Sequence, residues 1–136
     1  MQNVLKKLAQ DVHGFRIAVI GDAMLDENIE GPVLRISPEA PVVLLSKALR
    51  RALPGGAANV VACIASLGAH CAMIGLVGND AAAQELRSTM RELYPTFKDC
   101  LVSDASRHTT VKTRFWGTGY GAKHLLLRVD AESPAI

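Results

Sequence analysis

Short runs of hydrophobic residues alternate along the chain between a pattern typical of buried strands and a pattern typical of helices. The runs FRIAVIG (15–21) and HCAMIGLVG (70–78) are mostly apolar, which predicts two buried strands, the first of them parallel. Around them, apolar residues recur at helical spacing. This spacing predicts helices over 3–13, over 57–68 with Gly68 as a C-terminal cap, and from a cap at Asn79 or Asp80 to about Leu93.

A second group of segments predicts more exposed strands. A short strand is predicted over CLVSD (100–104), and two strands over 28–36 and 41–53 flank a loop that contains two prolines. TTVKTRFW (109–116) and HLLLRVD (124–130) predict a hairpin joined by the glycine-rich segment GTGYGAK.

The order of these elements predicts the fold class. Strand, helix, strand, helix, strand is the order of an α/β sheet with helical crossovers. The hairpin strands do not fit such a sheet, so a small separate sheet is expected at one end of it. A doubly wound sheet normally has more strands than this chain supplies. We therefore expect the opening portion of a larger fold, with an exposed sheet edge and exposed apolar faces.

Composition and charge narrow the class of protein. The chain has 136 residues, 49% of them hydrophobic and 21% charged, which suits one globular domain. The net charge of +2 includes no basic block, so no nucleic-acid or membrane partner is expected. No apolar run is long enough to cross a bilayer, and the N-terminal segment does not resemble a signal peptide. Three cysteines without CxxC spacing predict reduced, mostly buried thiols in a cytoplasmic protein, and four isolated histidines argue against a metal site.

Two carboxylates follow the first predicted strand, in GDAMLDE (21–27). Ligands of open α/β sheets bind beyond the carboxyl ends of the strands. Asp22 and Asp26 could there accept charge-assisted hydrogen bonds from sugar hydroxyls. For Asp22, a turn closed by its own side chain is an equal alternative. Asp26 lies past that turn, which favours contact with a ligand.

A second candidate site element is PGGAAN (54–59), where PGG predicts a turn that opens the following helix. Gly55 and Gly56 have no side chains, so a ligand could approach the free N–H groups of the first helical turn. Asn59 adds an amide that both donates and accepts hydrogen bonds, which suits a polyol. Taken alone, the segment favours an ordinary helix entry, and it becomes a candidate site element only because it follows GDAMLD in an α/β context.

Two features near the end of the chain are weaker signals. GTGYG (117–121) precedes a strand rather than a helix, so a hairpin turn is favoured over a nucleotide-binding loop. Lys112 and Arg114 alternate with other residues and share one strand face. That face could meet a phosphate, but a solvated edge strand is the favoured explanation. Phe115 and Trp116 are expected to pack, and nothing in the sequence supports a sugar-stacking role for either of them.

Together these motifs resemble the ribokinase-like (PfkB) family of carbohydrate kinases. The resemblance rests on GDAMLDE (21–27), PGGAANVVACIASLGA (54–69) and GLVGND (75–80), in that order along the chain. GPVLRISPEAPV (31–42) points more closely to the heptose-7-phosphate kinase domain of ADP-heptose synthesis. The segments TVKTRF and LLLRVD match that branch more loosely.

The resemblance implies a partial three-layer fold with a small β-sheet lid, whose strands are expected at about 28–53 and 109–130. The whole of 1–136 would then be the N-terminal part of a kinase domain that phosphorylates a sugar phosphate. ATP and Mg²⁺ are implied as cofactors. By position, Asp26, Gly55, Gly56 and Asn59 match sugar-contacting residues of the family, and the two glycines also match its lid hinge.

The catalytic part of the family pattern is absent from this sequence. The family carries its catalytic aspartate in a GAGD-type motif, and neither that motif nor a Walker-type phosphate loop occurs here. No catalytic residue is therefore expected in the chain, and the chain alone is expected to be inactive. Another sugar or nucleoside kinase of the same family, or a non-catalytic sugar-phosphate-binding or interaction module, is the alternative. Association into a homo-oligomer through the lid strands is also expected to be possible.

The segment RISPEAP (35–41) contains a further candidate residue. Pro38 and Pro41 fix their own φ angles and bias the residues before them toward extended conformations. A stiff loop would hold Arg35 and Glu39 at a low entropic cost on binding. Arg35 is expected either to face a substrate phosphate or to pair with Glu39.

Overall fold

The computed structural model describes residue 7 and residues 10–119 and 121–133. The helix predicted over 3–13 falls largely outside these residues. The strands and helices, in chain order, are β1 (Arg16–Ile20), β2 (Ala23–Ile36), β3 (Val43–Leu45), β4 (Leu49–Gly56), α1 (Ala57–Ser66), β5 (His70–Val77), α2 (Ala81–Leu93), β6 (Phe97–Ser103), β7 (Thr110–Gly119) and β8 (Ala122–Ala131).

The first sheet is parallel and has the strand order β1-β5-β6. Helices α1 and α2 connect its strands and pack on one face, as the alternating pattern predicts for an α/β fold. The caps also agree with the prediction, since Asp80 caps α2 and Gly68 has a φ of +90° just after α1. The largest fully buried side chains form the core, namely those of Leu25, Val61, Cys71, Met73, Val77, Leu86 and Met90.

The other face of the first sheet is apolar and open. Paired residues of neighbouring strands point to the same side, so Ile20 and Ile74 share this face. Ile20 is 77% exposed, and Leu76 and Val102 on the same side are also exposed. No helix among the described residues covers these side chains. Exposed apolar faces of this kind are expected for a chain that forms the opening portion of a larger fold.

The second sheet contains five strands and is built around the long strand β2. Strands β4 and β3 follow one another along one side of β2, both antiparallel to it. Strand β7 pairs in parallel along the other side, and β8 pairs antiparallel with β7. The predicted hairpin of β7 and β8 is therefore confirmed.

Three details of the strand predictions were wrong. Strand β2 begins at Ala23 rather than near residue 28, so Asp26 lies within a strand instead of after a turn. The sequence PGG (54–56) forms the end of β4 rather than a turn, because it pairs with residues 23–25 of β2. Strand β7 is an interior strand between β2 and β8, not a solvated edge.

The cysteines agree only in part with the prediction of buried thiols. Cys71 is buried, Cys100 is partly buried and Cys63 is exposed, and all three are free. Burial raises the pKa of the Cys71 thiol, which favours its protonated form.

Two polar contacts join the second sheet to the helical layer. Thr109, directly before β7, donates hydrogen bonds from its backbone N–H and its hydroxyl to the carboxylate of Asp80 at the start of α2, at 2.8 and 2.7 Å. Arg50 on β4 bridges Glu27 on β2 and Glu85 on α2. These contacts attach the second sheet to α2.

Candidate functional site

The polar face of the second sheet carries the candidate site. Asp26 and Asn28 lie two residues apart on β2, so their side chains point to the same face. On that face the Asp26 carboxylate accepts a hydrogen bond from Arg114 at 2.6 Å, and the Asn28 side-chain oxygen accepts one from the Trp116 indole at 2.7 Å. Both contacts follow from the parallel register of β2 and β7, in which Asn28 lies opposite Arg114.

An open cavity of about 360 Å³ lies where this face meets helix α1. Its volume falls within the range of small-molecule sites, and its lining combines aromatic rings with a few polar groups, as such sites do. Asp26 and Asn59 both line it, so two of the residues that match the family's sugar-contacting positions are brought together. The lining residues are Asp26, Asn28, Leu53, Pro54, Asn59, Ala62, Tyr94, Arg114 and Trp116.

Gly55 and Gly56 allow the backbone to pass close to this site. A Cβ atom on Gly55 would lie 2.8 Å from the Asp26 carboxylate oxygen. Gly56 has φ +56° and ψ −131°, a conformation that L-residues with side chains rarely adopt. A Cβ there would also lie 2.6 Å from the backbone oxygen of Asp22. The two glycines thus serve the close approach of β4 to β2. The helical N–H groups predicted for ligand contact begin only at Ala57, whose own N–H is already bonded to the Asp22 backbone oxygen.

We expect Gly56→Ala to lower the free energy of unfolding by about 2 kcal/mol or more, because backbone strain of about 1–3 kcal/mol adds to the clash with Asp22. Urea denaturation of the two proteins measures the difference. Gly14→Ala is the matched control, since Gly14 also has a positive φ, of +86°, but nothing lies within 4 Å of its added Cβ. Equal losses in both variants would show that strain alone acts at Gly56.

Asp22 and Arg35 do not line the cavity. The backbone oxygen of Asp22 accepts a hydrogen bond from the Ala57 N–H at 2.9 Å, and its side chain is exposed. Arg35 is also exposed and lies nine residues from Asp26 along β2, which is about 30 Å of extended chain. Among the described residues, no ion pair joins Arg35 to Glu39, whose N–H instead contacts the Ser37 hydroxyl.

The structure adds residues that the sequence analysis did not assign to the site. Asn28, Tyr94, Arg114 and Trp116 all line the cavity. For Arg114 and Trp116, the sequence pattern favours a solvated edge strand and ordinary packing instead of a role in the site. The alternation of polar residues in DEN (26–28) and KTR (112–114) was the available signal, because it places cations and acceptors on matching faces of two strands.

Two further structural observations limit the classes of site. Within residues 10–119 and 121–133, no group of three or more His, Cys, Asp or Glu side chains could hold a metal ion. Neither α1 nor α2 has the length and hydrophobicity that a membrane-spanning helix requires.

Comparison with solved structures supports the fold. A carbohydrate kinase from Agrobacterium tumefaciens superposes with a TM-score of 0.67 at 18% identity, over 86% of this chain and 35% of that one. A ribokinase homologue from the same organism gives a TM-score of 0.64, also at 18% identity, over 87% and 36% of the two chains. At this identity the likeness concerns the fold alone, which is that of ribokinase-like carbohydrate kinases.

Sequence comparison supplies the family. The chain is 47% identical over 117 residues to the bifunctional protein HldE of Azorhizobium caulinodans, which covers 85% of this chain and 23% of that protein. It is 38% identical over 132 residues to HldE of a Caulobacter species, which covers 97% of this chain and 26% of that protein. The chain thus spans about a quarter of the length of these curated relatives. The model of the pfkB family of carbohydrate kinases matches residues 15–116, so the chain belongs to that family.

Proposed function

We propose that this chain is the sugar-binding part of an ATP-dependent kinase whose substrate is a sugar phosphate. The substrate that fits the sequence resemblance most closely is heptose 7-phosphate, phosphorylated at its anomeric hydroxyl in the synthesis of ADP-heptose for the lipopolysaccharide core. The observation that carries the proposal is that Asp26 and Asn59, from two distant segments, line one cavity of about 360 Å³. Family membership makes a sugar the natural ligand of that cavity.

The chemistry of the lining supports a polyhydroxylated ligand. An ionised carboxylate at Asp26 accepts hydrogen bonds from hydroxyl groups, and the Asn59 amide can donate to one hydroxyl and accept from another. Trp116 offers an apolar ring with its N–H already held by Asn28. These residues bind and orient the sugar, so that the hydroxyl to be phosphorylated is presented to the donor.

The remaining parts of the reaction are not assigned to residues of this chain. In the family, ATP supplies the phosphoryl group and Mg²⁺ stabilises the phosphate charge. Transfer depends on positioning and electrostatic stabilisation of those phosphates. This sequence contains no GAGD-type motif, and the described residues offer no carboxylate cluster for a metal. The contribution of this chain is therefore sugar recognition.

We also infer that the second sheet acts as the lid of the site. The cavity lies between this sheet and α1, and β4 enters α1 through Gly55 and Gly56. A backbone without side chains at this junction can absorb a change in dihedral angles. The face of the sheet that is turned away from Asp26 carries exposed apolar side chains, including Val43 and Leu127, which suits association with a second copy.

Calorimetry with sugar phosphates and no nucleotide tests the proposal, using the full-length product of the gene that encodes this chain. We expect heptose 7-phosphate to bind more tightly than ribose, fructose or a nucleoside, and ATP turnover to follow the same order. If another sugar bound most tightly, the proposal of a sugar kinase would stand, but its substrate would be that other sugar. Sugar binding without any ATP turnover would favour the non-catalytic binding module, and no binding of any sugar would refute the proposal.

A further inference from the structure

Three arginines lie in one row across the second sheet. In the strand registers, Asn28 on β2 is opposite Arg51 on β4 and opposite Arg114 on β7, and Arg114 is opposite Arg128 on β8. Residues paired in this way project from the same face. Neighbouring strands lie about 4.8 Å apart, so the Arg51 and Arg114 backbones are separated by about 10 Å with Asn28 between them.

Such a row is unfavourable unless negative charge compensates it, because like charges directly opposite one another destabilise a sheet. Arg114 is compensated by Asp26 at 2.6 Å and Arg128 by Asp130 at 3.0 Å. No described carboxylate forms an ion pair with Arg51. Arg51, next to Asn28 on β4, is therefore a cation without a protein counter-charge among the described residues.

The surroundings of Asn28 favour an anion at this point. The Asn28 side-chain oxygen is occupied by the Trp116 indole, which leaves its amide N–H groups as the free hydrogen-bonding groups. An adjoining cavity of about 260 Å³ shares Asn28 with the sugar cavity and is lined also by Arg51 and Lys47. The nearby carboxylate Glu30 is engaged by Lys123. Arg51 and Lys47 thus line a cavity on one side of Asn28, and Arg114 lines the sugar cavity on its other side.

We propose that Arg51 and Arg114, on either side of Asn28, bind the phosphate that the sugar already carries, so that the site selects phosphorylated over neutral sugars. The proposal rests on the proposed function, and it assigns the phosphate contact to a different residue from Arg35. Guanidinium groups match phosphate oxygens with paired, charge-assisted hydrogen bonds. Because β7 is an interior strand, the alternative of a solvated edge strand no longer explains the cation at Arg114.

Calorimetry on the full-length gene product tests this assignment with D-glycero-β-D-manno-heptose 7-phosphate and the same heptose without phosphate. Arg51 is the residue to change, because its side chain is exposed and does not contact Asp26. We expect Arg51→Gln to weaken binding of the phosphorylated sugar by about 10-fold or more, the value of one charged hydrogen bond, and to leave binding of the neutral heptose unchanged. Unchanged binding of the neutral heptose would also show that the variant is folded.

Arg35→Gln is the matched control, since it removes the same charge from the same sheet, seven residues along β2 from Asn28 and therefore about 23 Å away. We expect it to bind both sugars as the wild type does. A loss confined to Arg35→Gln, or an equal loss on both sugars in Arg51→Gln, would overturn the assignment. If the wild type binds the two sugars equally well, the phosphate site is refuted and the sugar-kinase proposal stands. If it binds neither, both fail.

Discussion

Asp26→Ala is expected to weaken sugar binding to the full-length protein by about 100-fold or more. Hydrogen bonds to an ionised group contribute about 1.5–3 kcal/mol each, and two of them from adjacent sugar hydroxyls amount to about 3 kcal/mol or more. The substitution also leaves Arg114 without the carboxylate that holds it at 2.6 Å. Calorimetry with heptose 7-phosphate measures the effect, and the isosteric Asp26→Asn should lose only about 10-fold, because its amide still accepts one hydrogen bond.

Glu27→Ala is the matched control for this experiment. Glu27 is the next residue on the same strand, so its side chain projects from the opposite face, where it contacts Arg50 and Thr113. Glu27→Ala removes the same charge as Asp26→Ala but changes no residue that lines the cavity. We therefore expect its sugar affinity to lie within about 3-fold of that of the wild type. Equal losses in Asp26→Ala and Glu27→Ala would mean that net charge, rather than contact in the cavity, governs binding.

Much of the first sheet could be predicted because its determinants are local. The apolar runs at β1 and β5, the helical spacing of α1 and α2, and the caps at Gly68 and Asp80 are all readable within a few residues. The strand-helix alternation then fixes the parallel pairing, since a helical crossover returns the chain in the same direction.

The second sheet was harder to predict because its pairings join distant segments. Strand β7 pairs with β2 across 86 residues of sequence, as in the contact between Thr113 and Glu27. Before that pairing is known, Lys112 and Arg114 look like solvated residues of a hairpin edge. Likewise, Pro54 suggested a turn, yet it sits opposite Leu25 at the end of β4. Local propensity does not reveal a register that a distant strand imposes.

The candidate site shows the same division between local and distant determinants. Local motifs identify Asp26 and Asn59 as candidates, and the structure brings them into one cavity. Trp116 could not be assigned, because Phe115 and Trp116 are adjacent aromatic residues and only the pairing with β2 decides which one faces the cavity. The role of Asp26 in sugar binding remains a prediction, for which the substitutions above are the test.

Asp80→Ala is expected to produce the largest loss of stability, about 3 kcal/mol. The Asp80 carboxylate accepts hydrogen bonds from the Ala83 N–H at the start of α2 and from both the N–H and the hydroxyl of Thr109. Loss of a helix cap costs about 0.5–2 kcal/mol. Thr109 is only 2% exposed, so its N–H would be left without a partner at a further cost of about 1–3 kcal/mol. Urea denaturation of the variant and the wild type measures the sum.

Asp80→Asn separates the cap from the attachment of the second sheet. Asparagine caps helices about as well as aspartate, but its amide nitrogen cannot accept a hydrogen bond from the Thr109 N–H. We expect this variant to lose about half as much stability as Asp80→Ala. Stability equal to that of the wild type would mean that Asp80 acts only as a cap and that Thr109 contributes nothing to holding β7 against α2.

The ionised Asp80 carboxylate also predicts that the stability of the fold depends on pH. Burial alone would raise the pKa of Asp80, but the hydrogen bonds from Thr109 and Ala83, together with the nearby His108, outweigh it and hold the pKa below its usual value. Because the pKa is lower in the folded state, the carboxylate stabilises the fold fully above the unfolded-state pKa of about 3.9. That contribution is lost as the pH falls through the folded-state value. The stability of the wild type should therefore fall more steeply below about pH 4 than that of Asp80→Asn, and parallel curves would contradict an ionised Asp80 at this junction.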